Sequence, residues 1–598
     1  MAPHADSRSN GQTNFDVIIV GGGPAGSTAA TFLRKYNPAL SVLVLEKEKF
    51  PRDHIGESQL PSISPILHEM GVWDRIEAAG FPIKIGASYT WGRDKDQWDF
   101  DFFPVEQFKD EPRPARFEGQ RTFTAFQVDR AIYDEILLDY AQELGATVRE
   151  EVMVEEVLTE GDSVTGLRLS TGQTVRGRYY IDASGNVGLI RRAFNIHVDI
   201  TEELKNIAIW DYWQNAEWAE KIGVGGTRVQ VRSLPYGWIW FIPLGPTRTS
   251  VGLIVNADYY KKLGKPAEEL YIESLKSQPE IYRLIQNATA EGKFTATKDW
   301  SQLAERIAGD NWFLVGEAAG FADPILAAGM TLAHSSARDA AYTILELDRA
   351  RYDAAWLRRR YDDRNRTNIS QHIRFAQYWY SANGCFTDLQ EHCTRIAKEA
   401  GLNLNPQKAW QWLAQGGFIS ESLGLPNLGS ADVATAKQII TRFAPPGSKP
   451  IGFLVSGHNV FKLNTRGATK DIIGHLQRGE IEQVPCYRRG DSILPLVGLY
   501  GAVIEVLSKT SDAKEIIAAF HDITRAQGLS PDGVESTVVF KFVQVLEILI
   551  EQYWVTRELN PKKPALRIDA GETRYIRSRE ETLKALEQHG AHATIEFN

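Results

Sequence analysis

The sequence predicts an α/β protein: a Rossmann-like domain with an inserted, mostly β layer, followed by a mainly α C-terminal domain. Three observations support this prediction. A buried strand runs through Gly-x-Gly-x-x-Gly into a helix, strand patterns rich in aromatic residues occupy about residues 91–125 and 195–299, and helical patterns recur after residue 376. The chain has 598 residues, more than one hydrophobic core usually serves, so several domains are expected.

The first element is a βαβ unit with a glycine turn between its first strand and its helix. The turn residues are Gly21, Gly23, Pro24, Ala25 and Gly26. The first glycine permits a tight turn, the second lets the backbone approach a pyrophosphate, and the third lets the helix pack close to the strand. The helix N-terminus favours the pyrophosphate charge. Glu46 ends the second strand, at the distance where an acid can accept ribose hydroxyls, so the unit predicts a dinucleotide site.

An ordered loop and a lysine-bearing strand follow. Residues 50–61 contain prolines, Gly56 and mixed charges, including Glu57 and Ser58, which indicate an irregular but ordered segment. Lys84 then lies in the apolar segment 81–87. On the pattern alone, a strand lysine that faces solvent is the more ordinary interpretation, and a lysine that points into a cavity is the alternative.

A second element that suits an anion lies between residues 311 and 345. A buried strand at 311–315 leads into Gly316 and Glu317, then Asp323-Pro324, and a helix is predicted from Gly329 to about residue 345. An acid at this point can accept hydrogen bonds from the hydroxyl groups of a ligand, and the positive end of the helix dipole favours an electron-rich group.

The intervening segments return the chain to the nucleotide-binding sheet. An amphipathic helix at about 126–144 opens with Gln127 and Arg130, and a later strand ends in Asp182-Ala-x-Gly185. Strands between residues 207 and 256 carry Trp238 and Trp240. A tryptophan pair in a strand is more often part of a core than of a reactive site, so that pair alone indicates little.

Composition excludes several classes of protein. The net charge of −9 argues against a general nucleic-acid binder, whose affinity depends on cationic contacts. Three cysteines form neither a disulfide framework nor a metal-ligand spacing, which favours a reducing compartment. Residues 1–13 resemble a flexible polar tail without the apolar stretch of a signal peptide, and no run approaches the ~20 apolar residues of a membrane span. We therefore expect a cytoplasmic protein that contains no metal site.

Taken together, these motifs resemble FAD proteins of the aromatic-hydroxylase-like fold, which include monooxygenases, geranylgeranyl-reductase-like enzymes and flavin-dependent halogenases. Residues 237–243, GWIWFIP, match the WxWxIP motif of the flavin-dependent halogenases, and Lys84 lies in the Phe-x-x-Lys-x-Gly-Ala context of that family. The resemblance spans roughly residues 14–375. It is closer to members that act on phenol- or pyrrole-type substrates than to tryptophan-type members.

The resemblance implies a halogenase that uses reduced FAD, O₂ and chloride or bromide, with the reduced FAD supplied by a separate flavin reductase. Hypohalous acid would pass through a tunnel to an electron-rich phenol, pyrrole or indole, either free or tethered to a carrier protein. Lys84 would hydrogen-bond the hypohalous acid as an ammonium or form a haloamine as an amine. A desolvated lysine has a lowered pKa, which allows either role. Trp238 and Trp240 would line the cavity and exclude water.

The resemblance also assigns binding residues. Those expected to contact FAD are Gly21, Gly23, Pro24, Ala25, Gly26, Glu46, Lys47, Arg52, Gly56, Glu57, Ser58, Gln127, Arg130, Asp182, Gly185, Gly316, Glu317, Asp323, Pro324, Gly329 and Met330. The halide would lie against the backbone N–H groups of Ala328 and Gly329, at a helix start that favours an anion.

Three residues depart from the family pattern. Ala327 replaces the serine of Asp-Pro-x-x-Ser-x-Gly, and the change affects halide affinity or the placement of Lys84. Leu326 replaces the glutamate of tryptophan halogenases, which argues against free tryptophan as substrate. Glu317 stands where aspartate is more usual.

Alternatives remain at this stage. A single-component aromatic monooxygenase would accept NAD(P)H directly, and a geranylgeranyl-reductase-like enzyme would share the fold without needing Lys84. A non-enzymatic alternative is a flavin core that serves as a scaffold for a C-terminal docking module.

The expected domain organisation is a tail, a core at 14–375 and an α-rich C-terminal domain at 376–598. Within the core, FAD-binding parts are expected at about 14–90, 126–190 and 300–345, and substrate-layer parts at about 91–125 and 195–299. Residues 451–520 loosely suggest a winged-helix-like unit.

Overall fold

A computed structural model describes residues 13–102, 105–400, 405–414, 427–428, 431–445, 447–526, 534–569, 576–587 and 594–597. These residues form two compact units. The first unit contains the described residues up to 85 together with 109–376 and 477–481, and the second contains those of 86–108, 377–476 and 482–598. The predicted flexible tail lies outside the described residues, apart from residue 13.

The strands up to residue 345 are β1 (Asn14–Val20), β2 (Val42–Leu45), β3 (Ile83–Thr90), β4 (Gln97–Asp101), β5 (Ala125–Phe126), β6 (Thr147–Arg149), β7 (Val154–Glu160), β8 (Ser163–Leu169), β9 (Thr174–Asp182), β10 (Val198–Gln214), β11 (Gly226–Leu234), β12 (Gly237–Pro243), β13 (Arg248–Asn256), β14 (Thr289–Ala290), β15 (Thr295–Ala304), β16 (Trp312–Leu314) and β17 (Gly320–Phe321). Later strands are β18 (Asn427–Leu428), β19 (Ala431–Asp432), β20 (Val460–Leu463), β21 (Thr469–Gln477), β22 (Glu480–Arg489), β23 (Ser492–Pro495), β24 (Val555–Glu558), β25 (Leu566–Asp569), β26 (Ile576–Ser578) and β27 (Thr594–Phe597).

The helices up to residue 381 are α1 (Pro24–Tyr36), α2 (Ser64–Met70), α3 (Trp73–Ala78), α4 (Arg130–Glu143), α5 (Leu189–Ala193), α6 (Ala257–Leu263), α7 (Ala267–Ser277), α8 (Pro279–Ile285), α9 (Gly329–Arg349) and α10 (Ala354–Ser381). Later helices are α11 (Gln390–Glu399), α12 (Pro406–Ala414), α13 (Val433–Phe443), α14 (Gly498–Lys509), α15 (Ala513–Ala526), α16 (Val534–Glu551) and α17 (Arg579–Glu587).

The first unit contains the predicted Rossmann-like sheet. Parallel strands lie in the order β6-β2-β1-β9-β16, and β8 and β7 extend β9 as an antiparallel pair. Residues of β1 and β2 are buried on both faces, as the continuous hydrophobic runs of parallel strands require. The glycine turn and the end of β9 meet at the carboxyl edge of this sheet, because Val20 lies opposite Asp182. Ligands of open α/β folds bind at this edge.

The same unit contains the predicted β layer. Its strands lie in the order β17-β15-β10-β13-β12-β11-β3, with β14 beside β10 and β5 beside β3. One face of this sheet buries Ile239, Phe241 and Leu253 against Leu270 of α7 and Leu284 of α8. The alternate residues of β12 therefore lie on the opposite face.

The second unit has a core of its own. Apolar residues of α14, α15 and α16, among them Val503, Phe520 and Leu546, form one buried cluster with Phe461 of β20 and Trp554. Residues 86–90 of β3 pair with β4, and β4 pairs with β26. Residues 451–520 contain β20 to β23, α14 and part of α15, and a winged-helix-like relationship stays a prediction, as do the predicted domain boundaries.

The α/β class and the helix-rich C-terminal region are confirmed. Two local predictions need correction. The apolar periodicity of residues 62–79 predicts one helix, but the structure has two, α2 and α3, because Gly71 takes a left-handed conformation at φ 93° that ends α2. The pattern of residues 148–157 predicts one strand, but that strand is interrupted, since Glu151 has φ 58° between β6 and β7. In the described part of the chain, no helix is long and apolar enough to cross a membrane.

Candidate active site

The glycine turn has the geometry that the motif predicts. Gly21 has φ 106°, and an added Cβ would lie 2.3 Å from the carbonyl oxygen of Ala183. A Cβ on Gly26 would lie 1.9 Å from the carbonyl oxygen of Gly21. At Gly23, by contrast, the nearest atom to an added Cβ is Nη2 of Arg52 at 3.4 Å. Two of the glycines are therefore required by the fold, whereas the third leaves room for a ligand.

The start of α1 is open to an anion. Its N-cap residue Gly23 provides no side-chain hydrogen bond, Pro24 and Ala25 follow, and the first turn has no acidic residue. The Glu46 carboxylate lies beside this turn, where it accepts hydrogen bonds from Gly22 N at 2.7 Å and Glu48 N at 2.9 Å.

The loop after β2 is tied to α4 by charge. Arg130 donates two hydrogen bonds to the Asp134 carboxylate, at 2.7 and 2.8 Å, and also donates to the carbonyl oxygens of Ile55 and Gly56. Arg52 lies 3.1 Å from the same carboxylate. Lys47 is exposed instead and lies 3.7 Å from Glu48.

Short turns carry the predicted acids at the sheet edge. Asp182 accepts hydrogen bonds from Ser184 N at 3.1 Å and Ile190 N at 2.7 Å. Oε2 of Glu317 lies 3.9 Å from the position of a Cβ on Gly185, which has φ 66°. Burial raises the pKa of Glu317, and the charge of Arg130 opposes that rise.

The predicted halide site lies at the start of α9. Gly316 N donates to the Ser336 hydroxyl at 2.9 Å, which holds the preceding turn to α9. Asp323 caps the 3₁₀ turn Pro324–Leu326 by accepting from Ile325 N at 2.9 Å. Ala327 then has φ 52°, and α9 begins at Gly329 after the buried Ala328. This N-terminus has no side-chain cap and no acid in its first turn, where Met330 is buried.

Lys84 is buried, with 2% of its surface exposed. The solvent-facing interpretation is therefore wrong: every residue of β3 is buried, so the strand has no exposed face. Lys84 lies opposite Ala125 of β5, and its Nζ donates to the carbonyl oxygen of Gln59 at 2.9 Å. Burial lowers the pKa of Lys84 to about 7.

A small ladder connects this lysine to the loop of the predicted flavin contacts. Gln59 N donates to Phe126 O at 3.1 Å, Val128 N donates to Glu57 O at 2.8 Å, and Ser58 and Gln127 form a β-bridge. Because β5 pairs with both the loop and β3, the backbone holds the flavin-side residues and Lys84 in one arrangement.

The tryptophan pair lies on the face of β12 opposite the α7–α8 core. The rings of Trp238 and Trp240 are 6.2 Å apart at an interplanar angle of 58°, and both are buried. Trp240 Nε1 donates to the hydroxyl of Ser250 at 3.0 Å.

Sequence reasoning missed several polar residues of this region. The Gln59 carbonyl accepts from Lys84, and Ser250 accepts from Trp240. His334 of α9 lies between the hydroxyls of Thr28 and Tyr133, at 2.8 and 2.9 Å. Single polar residues in apolar patterns carry no local signal, and only the tertiary contacts identify them.

The site suits a large polar cofactor. The amide of Gln127 is fully buried, and in the described part of the chain neither its oxygen nor its nitrogen has a hydrogen-bond partner. Oε1 of the buried Glu57 and the hydroxyl oxygen of Ser58 are also buried and have no hydrogen-bond partner in the described part of the chain. Buried polar atoms are normally satisfied, so these groups are suited to a ligand with several hydrogen-bonding atoms beside the open α1 terminus. FAD fits this requirement.

Comparison with known proteins identifies the protein family of this chain. A family model described as tryptophan halogenase matches residues 16–113 and 106–386. The chain belongs to this family, whose relatives include proteins named as flavin-dependent halogenases.

Two relatives illustrate the range of the family. The chain is 35% identical to "Tryptophan 2-halogenase" of Chondromyces crocatus over 57% of its own length and 62% of the relative's. It is 31% identical to "1H-pyrrole-2-carbonyl-[peptidyl-carrier protein] chlorinase" of Pseudomonas fluorescens, over 62% of its own length and 85% of the relative's. The match to the first of these therefore spans less than two thirds of that relative.

Two solved halogenase structures are similar to this chain. The myxobacterial chondrochloren halogenase CndH aligns with a TM-score of 0.57 and 28% identity, covering 66% of this chain and 91% of that one. The flavin-dependent halogenase CmlS, at 24% identity, aligns with a TM-score of 0.66 over 91% of this chain and 96% of its own. The second alignment shows a shared fold that extends into the C-terminal region.

Proposed function

We propose that the protein is a flavin-dependent halogenase that uses reduced FAD, O₂ and chloride or bromide to halogenate an electron-rich aromatic ring through hypohalous acid and Lys84. The observation that supports this best is the burial of Lys84 beside the loop of the predicted flavin contacts. A lysine is rarely buried without a reason, and this one has a pKa lowered into the range where its charge can change.

The residues that would hold FAD lie around the carboxyl edge of the parallel sheet. The N-terminus of α1 would bind the pyrophosphate, Glu46 the adenosine ribose, and Gln127 the flavin part of the molecule. Bound in reduced form, FAD would give an electron pair to O₂ and bring it to the peroxide level, at which oxygen can oxidise halide to hypohalous acid with release of water. The first turn of α9, at Ala328 and Gly329, would hold the halide against unpaired N–H groups.

Lys84 would act on the hypohalous acid as a hydrogen-bond donor. Its Nζ is held by the carbonyl oxygen of Gln59, and the backbone ladder fixes that carbonyl. An ammonium in a water-poor site strengthens the polarisation of an oxygen–halogen bond. The aromatic ring then takes up the halogen and loses a proton, and the hydroxyl group of the hypohalous acid leaves as water. Trp238 and Trp240, both buried, would exclude water from the site.

The proposed substrate is a phenol, pyrrole or indole, free or tethered to a carrier protein. A relative named as a chlorinase of a carrier-bound pyrrole favours the tethered form. The relative named as a tryptophan 2-halogenase makes free tryptophan a necessary test compound, although Leu326 stands where tryptophan halogenases carry glutamate. A separate flavin reductase is the proposed source of reduced FAD.

Product mass spectrometry tests the function. The protein is supplied with a flavin reductase, NADH, FAD, bromide and a panel of phenols, pyrroles, indoles and free tryptophan, with carrier-bound pyrrole added. We expect a product with the bromine isotope doublet that requires both bromide and the reductase. Halide-independent addition of one oxygen, with NADH consumed in the absence of the reductase, would instead establish a single-component monooxygenase.

A further inference from the structure

We propose that Arg248 is a positioning residue that fastens the loop of the predicted flavin contacts to the β layer. The inference rests on the proposed function, because it concerns how the protein holds FAD. No motif of the sequence includes Arg248, which is the first residue of β13.

The β layer holds the Arg248 side chain in one orientation. Arg248 lies opposite Gln214 of β10, and its carbonyl oxygen accepts from Leu244 N at 2.9 Å. The guanidinium carbon lies over the ring of Tyr212, 3.8 Å from the ring centroid, where the ring face attracts a cation. Nε and Nη2 donate to the two oxygens of the Glu291 carboxylate, at 3.1 and 3.3 Å. These contacts fix the plane of the guanidinium and the directions of its other N–H groups.

Glu291 is placed by the same sheet. It follows β14 directly, and its N–H donates to the carbonyl oxygen of Tyr212 at 2.7 Å. Its carboxylate also accepts from Nε2 of Gln214 at 2.8 Å. The acid that orients Arg248 therefore belongs to the β layer and not to the loop.

The guanidinium also contacts two acids outside the β layer. Nη1 donates to Oδ2 of Asp129 at 2.8 Å, and Nη2 donates to Oδ1 of Asp53 at 3.0 Å. Asp129 is the N-cap of α4, where its Oδ1 accepts from Ala131 N at 3.0 Å. Asp53 lies in the loop of the predicted flavin contacts. One guanidinium therefore joins a strand, a helix start and this loop.

Both acids are next to residues that are expected to contact FAD. Asp53 directly follows Arg52, and Asp129 lies directly before Arg130. The hydrogen bonds of the loop described above join it to residues 127–130, whereas Arg248 joins both segments to the β layer. Without Arg248, the loop and the start of α4 would keep their contacts with each other and lose this attachment to the sheet. We therefore expect FAD to leave the protein faster.

The charge and the burial of the cluster give the attachment its strength. The side chains of Arg248, Asp129 and Glu291 are 17%, 14% and 17% exposed, and that of Asp53 is 43% exposed. Fully exposed ion pairs contribute little, but salt and water screen partly buried ones less. Three carboxylates share the one guanidinium, so its removal would leave like charges that repel one another.

The test is the rate of FAD release from the full-length, FAD-loaded protein, followed as the rise in flavin fluorescence after dilution. Arg248→Met, Asp53→Ala and the double variant form a double-mutant cycle. We expect Asp53→Ala to release FAD about fivefold faster, as the loss of one partly exposed charged hydrogen bond predicts. Arg248→Met should accelerate release at least as much, because it also frees Asp129. The double variant should release FAD no faster than Arg248→Met.

Arg75→Ala is the matched control. Arg75 donates two hydrogen bonds to the Glu143 carboxylate at the other end of α4, at 2.7 and 2.6 Å, so its removal breaks an ion pair away from the loop. It should leave the rate of FAD release unchanged. Asp53→Ala should lower the Tm of the apoprotein no more than Arg75→Ala does. Arg248→Lys keeps the charge without the planar fork, so it should release FAD at a rate between those of the wild type and Arg248→Met.

Unchanged release in Arg248→Met would overturn the positioning role, as would an equal acceleration by Asp53→Ala with and without Arg248. The assay uses oxidised FAD without halide or substrate, so its result is separate from catalysis. The expected rates in a protein that makes no halogenated product would contradict the proposed function and leave the role of Arg248 standing. Halogenation without the expected rates would do the reverse, and a protein that binds no FAD would overturn both.

Discussion

Lys84 combines two properties that seldom occur together in one lysine. Its side chain is buried in a strand that is covered along its whole length, and its Nζ is held by a backbone carbonyl that side-chain substitutions leave in place. Burial lowers its pKa to about 7, so ammonium and amine are both accessible near neutral pH. Its two proposed roles, donor to hypohalous acid and nucleophile that forms a haloamine, therefore have opposite pH dependences.

We predict that kcat/KM for halogenation falls as the pH rises through about 7, because the proposed donor is the ammonium form. A pH profile of single-substrate kinetics measures this directly. Lys84→Arg stays protonated throughout the range, so any residual activity of that variant should lack the ionisation. A wild-type profile that rises through the same pH would assign the reactive role to the free amine.

The glycine turn gives a matched pair of variants. Gly26→Ala places a Cβ 1.9 Å from a backbone oxygen, so we expect a lower apparent Tm together with the loss of FAD. Gly23→Ala meets only the end of the Arg52 side chain, at 3.4 Å. We therefore expect that variant to keep the wild-type Tm and to bind FAD at least tenfold more weakly, because the methyl group occupies the approach of the pyrophosphate. Unchanged FAD affinity in Gly23→Ala would show that the cofactor does not approach this turn.

Among single residues, those whose role follows from backbone geometry are predictable from the sequence. Gly21 and Gly26 are predictable because their spacing is imposed by a strand–turn–helix junction. The burial of Lys84 is not predictable from the sequence pattern. Both faces of β3 are buried, but a strand with one exposed face would show the same local pattern. Gln59 accepts through its backbone carbonyl from a lysine that lies on another strand, and Ser250 accepts through its hydroxyl from the indole of the neighbouring strand, and no spacing rule reports such contacts.

Three helices of the nucleotide-binding part meet at one imidazole. Nδ1 of His334 in α9 is 2.8 Å from the Thr28 hydroxyl of α1, and Nε2 is 2.9 Å from the Tyr133 hydroxyl of α4. Burial, together with the positive charge of Arg130, lowers the pKa of His334 to about 3, so the ring is neutral at physiological pH. A neutral ring donates from one nitrogen and accepts at the other, which suits two hydroxyl partners.

We predict that His334→Leu lowers stability by about 1–3 kcal/mol at neutral pH, because two buried hydroxyls lose their partner. The unfolded chain binds a proton on His334 below about pH 6.5, and the folded protein does not until about pH 3. The free energy of unfolding of the wild type therefore decreases as the pH falls through this interval. His334→Leu lacks the titrating ring, so this part of the pH dependence is lost. Apparent Tm values between pH 8 and pH 5 should fall more steeply for the wild type than for His334→Leu.

Tyr133→Phe is the control for this prediction, because it removes one hydrogen bond and retains the titrating ring. It should lower the Tm at neutral pH and keep most of the acid-side slope. Parallel slopes in the wild type and His334→Leu would contradict the assignment of that slope to His334.

Elements with strong periodicity are predictable, and their interruptions are not. The predicted helix from Gly329 to about residue 345 is α9, and the βαβ unit is present as predicted. The division of α2 from α3 depends on Gly71, and the gap between β6 and β7 depends on Glu151. A glycine inside a helical pattern is often tolerated, and a glutamate carries no turn signal, so neither break is specified locally.

The chain as a whole combines a family core with a second compact unit. The match to the family model ends at residue 386, whereas the solved halogenase CmlS shares its fold over 91% of the chain. Helical patterns after residue 376 predicted that the C-terminal region is rich in helices, and the absence of a sequence motif there is why its chemistry stays open. The fold class was predictable from element order, and the halogenase resemblance depended on Lys84 and the tryptophan pair together.

The most direct measurement for the central claim is a single turnover with chemically reduced FAD bound to the protein. The complex is mixed with O₂, bromide and an accepted aromatic substrate, without NADH or reductase, and the product mass is determined for the wild type and Lys84→Met. The account predicts up to one brominated product per flavin in the wild type and none in Lys84→Met, with equal FAD binding in both. Bromination that survives in Lys84→Met, or an oxygenated product formed without bromide, would contradict it.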